Sequence, residues 1–274
     1  MLPYQQYFFF SCLAVGVAGV ISSAEHLHSI SLFREDGILS WRVLQTAFIS
    51  KKPLLGEPLK QTVFHWKGVR LVLTIRLLLS VLLPVISDRG TAASLVLVGL
   101  LLSQLFISYR AVFGSDGSDQ MFTILCAGLI PFYLFSINHQ MPAAGFYFIA
   151  LQSVLSYFTA GVAKAISPAW HSGEALPAIV NTATYGHRGF ADVLEKRIVV
   201  SSLLCWAVIV FECLFPLVLI APKWLLIAFL AIGVSFHIGN AAVMGLNVFL
   251  WSFLGTYPAI ILVNAQMRTL LHLN

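Results

Sequence analysis

Apolar residues in this chain neither alternate with polar ones nor recur as a narrow helical stripe. They run almost unbroken for about twenty residues at a time. Such runs lie near residues 5–24, 68–87, 90–113, 119–137, 141–166, 197–220, 223–244 and 246–265. A helix needs roughly 20 apolar residues to cross the hydrocarbon of a bilayer. The pattern therefore predicts an all-α fold, a polytopic integral membrane bundle of about eight transmembrane helices in one domain spanning 1–274. The short links at 88–89 and 138–140 read as tight helical hairpins. Two longer connections, 25–67 and 167–196, contain apolar pieces too short to span. They read as cytoplasmic-face amphipathic helices or a re-entrant cap. Residues 5–24 read as a retained first span, because no basic region precedes them, although Ser22-Ser23-Ala24 loosely resembles a cleavage site.

Composition strengthens this reading. The 274 residues are 59% hydrophobic and 10% charged, with a mean hydropathy of +0.89, whereas soluble domains sit near about 45–50% and about 25%. Aromatics at 13% exclude a disordered chain. The net charge of +5 does not indicate nucleic acid, because the basic residues are scattered between spans and act as topology determinants. Alternate loops assigned to the cytoplasm collect ten Lys and Arg: Arg34, Arg42, Lys51, Lys52, Lys60, Lys67, Arg110, Arg188, Lys196 and Arg197. Only Arg89, Lys223 and Arg268 fall opposite. With eight spans this puts both termini on the non-cytoplasmic face of a bacterial plasma membrane. The four cysteines form no CxxC, so neither a zinc site nor a disulfide framework is expected. No internal repeat is visible.

Charge inside a bilayer is costly, so intramembrane ionisable residues are functional candidates. Arg76, Lys164, Glu212 and His237 qualify. Tyr157, Ala160, Gly161 and Lys164 share one helical face, and the small residues permit close approach of a helix or a ligand. Lys164 is either a snorkelling interfacial anchor or, once desolvated, a general base. His237 and Asn240 lie three apart on one helix, suited either to interhelical hydrogen bonding or to lining a cavity. Glu212 and Arg76, deep in their spans, either pair with each other or serve a site. Asp119, in the polar turn that also holds Asp116, is placed to cap the following helix; the turn lacks a calcium-loop pattern.

Three segments together resemble a known family. Tyr157-Phe-x-Ala-Gly-Val-x-Lys164, continuing through Trp170 to Gly173, is similar to the lysine segment of vitamin K-dependent gamma-carboxylase. Phe236-His237-x-x-Asn240 is similar to that family's later His-x-x-Asn helix. Gly99-Leu-Leu-x-x-Gln104-Leu, ending in Asp116-Gly117, resembles the segment ahead of the lysine helix. The wider group is the horizontally transferred transmembrane domain family, and the likeness covers most of residues 30–260. It implies a membrane enzyme with Lys164 as catalytic base and with His237, a second catalytic candidate, and Asn240 lining the substrate cavity; Lys164 is expected within reach of His237 or Asn240. Trp170 and Gly173 would shape the turn after the lysine helix. Tyr157, Trp170, Glu212, Arg76, Asp116 and Asp119 complete the candidate substrate-binding set.

Two departures limit the likeness. Ser94 stands where the family has an active-site histidine, and the nearest alternative, His139, is one helix later. The sequence also holds no counterpart of the large lumenal region that grips protein substrates, so full glutamate carboxylation is not expected. The expected enzyme binds a lipid-soluble small molecule entering from the bilayer, a reduced quinone or an isoprenoid, in a cavity between spans three, five, six and seven. The chemistry would be oxygenation, epoxidation or cyclisation. Nothing in the sequence demands a cofactor; the resemblance implies a reduced quinone and dioxygen and no metal. The alternative is a non-enzymatic maturation or export partner of a small secreted peptide precursor. A small transporter is the weaker third reading, since no inverted repeat appears.

The orientation is directly testable. Cysteine-accessibility labelling at positions 51 and 188 is expected to place both on the cytoplasmic face; labelling from opposite faces would overturn the charge-based topology.

Overall fold

Every regular element among the described residues of the computed structural model (4–44, 46, 62–111, 116–134, 141–183 and 186–273) is helical. In chain order the helices are α1 (Gln5–His28), α2 (Trp41–Leu44), α3 (Trp66–Val85), α4 (Thr91–Ala111), α5 (Gly117–Leu129), α6 (Pro131–Leu134) and α7 (Met141–Ala165). There follow α8 (Pro168–Ser172), α9 (Ala175–Val180), α10 (Arg188–Lys196), α11 (Ile198–Leu214), α12 (Lys223–Met244), α13 (Asn247–Leu254) and α14 (Tyr257–Leu270). Turns of 3₁₀ helix occupy Ile30–Phe33 and Phe215–Leu219. Seven helical stretches among the described residues are long and apolar enough to cross a membrane, α11 continuing to Leu219 and α13 with α14 counting as one. The chain is thus an all-α polytopic membrane protein.

The expected fourth span differs from a simple helix. It is divided into α5 and α6, because Pro131 has no N–H to continue the helical ladder. The pair still runs alongside α4. At one end the Asp119 carboxylate accepts from the Gln104 amide at 2.9 Å. At the other, the Ile130 carbonyl accepts from the Ser94 hydroxyl at 2.9 Å, and the Tyr133 hydroxyl donates to the Ser87 carbonyl at 3.0 Å. Phe132 stacks on Phe8 of α1 with ring centroids 4.3 Å apart.

The chain groups into two compact units, Met1–Gly145 and Phe146–Asn274. In the first, α1 packs against α3 through small residues. A Cβ on Gly16 would lie 2.8 Å from the Ser80 carbonyl oxygen, and Gly19 lies against the Ser80 side chain. Without a hydrophobic force between helices in lipid, such close backbone approach supplies the packing attraction. Outward faces carry exposed leucine and valine; Leu71, Leu78 and Val85 repeat every seven residues along α3. That stripe would be a liability in water and is the expected contact surface in lipid.

Described parts of the two long connections pack against the helices. Arg110, fully buried, donates from Nε to the Phe64 carbonyl at 2.8 Å, and its guanidinium lies over the rings of Phe33 and Trp41. Lys51, Lys52 and Lys60 lie outside the described residues. In the second unit, α10 is amphipathic and buries Ala191 and Leu194 against Val180, with Val243 and Met244 of α12 packed alongside.

Gly16→Ala is expected to lower stability by about 1–3 kcal/mol, because the colliding partner is backbone and cannot swing away. Gly239→Ala, where an added Cβ meets nothing within 4 Å, should be neutral or slightly stabilising. Thermal unfolding of both variants in detergent checks the contrast.

Candidate active site

The site in the second unit is created by a helix that stops early. Gly161 of α7 abuts α11 at Glu212 and Cys213, where an added Cβ would lie 2.7 Å from the Cys213 nitrogen. Twelve residues later, Gly173 abuts Ser202 near the start of the same helix. From 213 back to 202 α11 advances by roughly 16 Å. The lysine helix therefore ends at Ala165 part-way along α11, and α8 continues the path after a break at Ser167-Pro168. Gly173 adopts φ 84°, a left-handed turn that a side chain would strain, and terminates α8.

Such a break exposes carbonyls that lipid cannot satisfy. Side chains take them up. His171 Nε2 donates to the Ala165 carbonyl at 2.6 Å, the Ser201 hydroxyl to the Gly173 carbonyl at 2.5 Å, and the Ser202 hydroxyl to the His171 carbonyl at 3.3 Å. The His171 ring also stacks on Trp206, with centroids 5.1 Å apart.

Lys164 stands in the last turn of α7, yet its side chain runs back toward the helix N-terminus. Its amine lies 3.5 Å from the Ala160 carbonyl, donates to Glu212 Oε2 at 2.7 Å, and sits 5.2 Å from the centre of the Trp170 ring. The lysine side chain is 20% exposed and the glutamate 4%. A snorkelling lysine would point the other way, toward the end of its helix. Two turns earlier on the same face, the Tyr157 hydroxyl lies 2.5 Å from His237 Nε2 and 3.2 Å from the Tyr257 hydroxyl. Rings of Phe211, Phe215 and Phe253 surround Tyr157. The buried Nδ1 of His237 has no hydrogen-bond partner among the described residues. The arrangement can therefore hold a proton donor or acceptor at two points, the amine and the imidazole.

Several expectations need correction. Lys164 was expected within reach of His237 or Asn240; its ionic partner is Glu212, and His237 bonds Tyr157, whose phenol extends from α7 to α12. Asn240 is half-buried one turn beyond His237. The possible Arg76–Glu212 pair gives way to separate partnerships. Arg76, fully buried in the first unit, donates to Gln104 Oε1 at 2.5 Å and lies over the Phe122 ring at 4.8 Å. Asp116, not Asp119, is the N-cap of α5; Asp119 is the reciprocal partner in a capping box. Arg76, Asp116 and Asp119 thus belong to the first unit and Lys164, Tyr157, Trp170, Glu212, His237 and Asn240 to the second. Ser94 is fully buried against the break before Pro131, and His139 lies outside the described residues.

Tyr257 was missed. Its signal was the polar Thr256-Tyr257 pair directly before Pro258 inside an apolar run, where a break in the helix brings side chains inward. Thr256 there lies 2.9 Å from the Ser153 hydroxyl of α7. No family model, characterised protein or solved structure matches this chain.

Glu212→Leu is expected to cost about 2 kcal/mol by stranding the Lys164 ammonium, a figure held down because the lysine retains some exposure. Lys164→Met combined with Glu212→Leu should recover most of that loss. Chemical denaturation in mixed micelles checks it, and additive losses would show that the pair contributes no coupling.

Proposed function

We propose that this chain is a membrane-embedded enzyme of the horizontally transferred transmembrane domain type, with Lys164 as general base on a lipid-borne substrate. The observation that carries the reading is the Lys164–Glu212 pair, held part-way along α11 by a broken helix with the amine turned inward. The proton inventory closes within the pair. To act as base, the Lys164 ammonium passes its proton to Glu212, 2.7 Å away, which leaves a neutral amine. That amine removes a proton from an acidic hydroxyl or C–H of the substrate. The substrate anion then lies beside the new ammonium, which stabilises it.

His237 complements this role. Its Nε2 is engaged by Tyr157, and its buried Nδ1 is available to a polar group of the substrate. Trp170 covers the amine and Asn240 lies one turn beyond the imidazole. A reduced quinone would present a hydroxyl of the right kind, with dioxygen as oxidant. We place both termini on the non-cytoplasmic face, a reading supported by the broken pair α5–α6, which runs alongside α4 as an eighth crossing would.

An untargeted lipid comparison between cells carrying the native chain and Lys164 variants tests the reading. Lys164→Ala should leave an inserted, folded protein and abolish one lipid product. Lys164→Arg should fail equally, because guanidinium does not release its proton usefully. Retained product in Lys164→Arg would overturn the base assignment, since an anchoring cation is replaceable by arginine.

A further inference from the structure

Three buried side chains from three helices of the second unit form a chain of hydrogen bonds. The Tyr157 hydroxyl of α7 lies 2.5 Å from His237 Nε2 of α12 and 3.2 Å from the Tyr257 hydroxyl at the start of α14. Gly233 precedes His237 by one turn on the same face of α12, and a Cβ added there would collide with the Tyr257 hydroxyl. The glycine thus leaves room for that phenol beside α12.

Tyr257 adds more than a tie between helices. One residue away, Ser153 of α7 and Thr256 already join α7 to the start of α14 through hydroxyls 2.9 Å apart. What the phenols add is a direction of hydrogen bonding. A neutral imidazole carries one hydrogen, on either nitrogen, and the partner of one nitrogen decides where it sits. If Tyr257 donates to Tyr157 and Tyr157 to Nε2, both hydroxyl protons are used and one group is left unmet, the N–H at Nδ1. The reverse order leaves Nδ1 as a bare acceptor and also demands a further acceptor for the Tyr257 proton, in a side chain only 7% exposed. Buried polar groups favour the order with fewer unmet members. Phe253 stacks on the imidazole with centroids 4.7 Å apart, so packing sets the plane of the ring and the phenols set its hydrogen.

We infer that Tyr257 is a positioning residue: through Tyr157 it fixes His237 in the tautomer with hydrogen on Nδ1, which makes that buried nitrogen a donor. The ligand group such a donor takes is an acceptor oxygen, a carbonyl or the anion left by deprotonation. That assignment of ligand rests on the active-site reading above, and within it the labour divides. Lys164 takes the proton and His237 holds an oxygen.

The test is 15N NMR of the full chain in detergent, with histidine labelled in the ring and the His237 signals identified by their loss in His237→Gln. The native spectrum should show hydrogen on Nδ1 and a bare Nε2. Tyr257→Phe frees Tyr157 to accept instead of donate. It should shift the tautomer ratio about fivefold toward Nε2–H, the change that one net hydrogen bond carries. Ser153→Ala, which loosens the same helix contact, should leave the ratio unchanged. Lipid product retained in Lys164→Ala would remove the base assignment and leave this tautomer standing. The native spectrum decides alone if Tyr257→Phe does not fold: hydrogen on Nε2, or on both nitrogens, would overturn the proposal. So would an unchanged ratio in folded Tyr257→Phe, or an equal shift in Ser153→Ala.

Discussion

Lipid offers no hydrogen bonds, and that constraint organises the second unit around the gap between α7 and α8. Once α7 stops at Ala165, every freed carbonyl must be met by protein. His171 and Ser201 meet two of them, and Ser202 meets the His171 carbonyl in turn. These side chains fix the path of the chain through Trp170 to Gly173. Gly161 lets α7 and α11 meet at the level of the Glu212 carboxylate. The polar pair and the glycine contact are therefore one construction.

The first unit solves the same problem with arginine. Arg76 and Arg110 are fully buried, each with part of its guanidinium hydrogen-bonded and part facing aromatic rings. Aromatic faces attract a cation without requiring further desolvated acceptors. Ring contacts thus stand in for hydrogen bonds that a bundle of leucines cannot supply.

Much of this was legible from residue order. The apolar runs announce helices because nothing else can satisfy backbone groups in lipid, and the long ones fall where hydropathy places them. The shared face of Tyr157, Gly161 and Lys164 follows from helical periodicity, and the structure brings that face against α11 and α12. Partnership was not legible. Arg76 and Glu212 are the deep charges of their spans, and sequence cannot say which helices adjoin, so Gln104 and Lys164 emerge as partners only in three dimensions. The division of the fourth run was obscured because Pro131 is compatible with either a kink or a stop. Asp116 and Asp119 both suit a cap by residue type, and only backbone geometry separates them.

The closure of each unit's charges upon itself bears on how the chain is made. Synthesis delivers the N-terminal half first, and the buried Arg76 finds Gln104 within the same unit, 28 residues later. That buried arginine does not wait in lipid for a partner still inside the ribosome. Lys164 must wait longer, for Glu212 lies 48 residues further on. Its place in the last turn of α7 suits that interval, since a lysine beside a helix end can reach the aqueous boundary until its carboxylate arrives. The lysine can then reverse direction as the second unit closes, and the order of translation becomes part of how a charged site is installed in the bilayer.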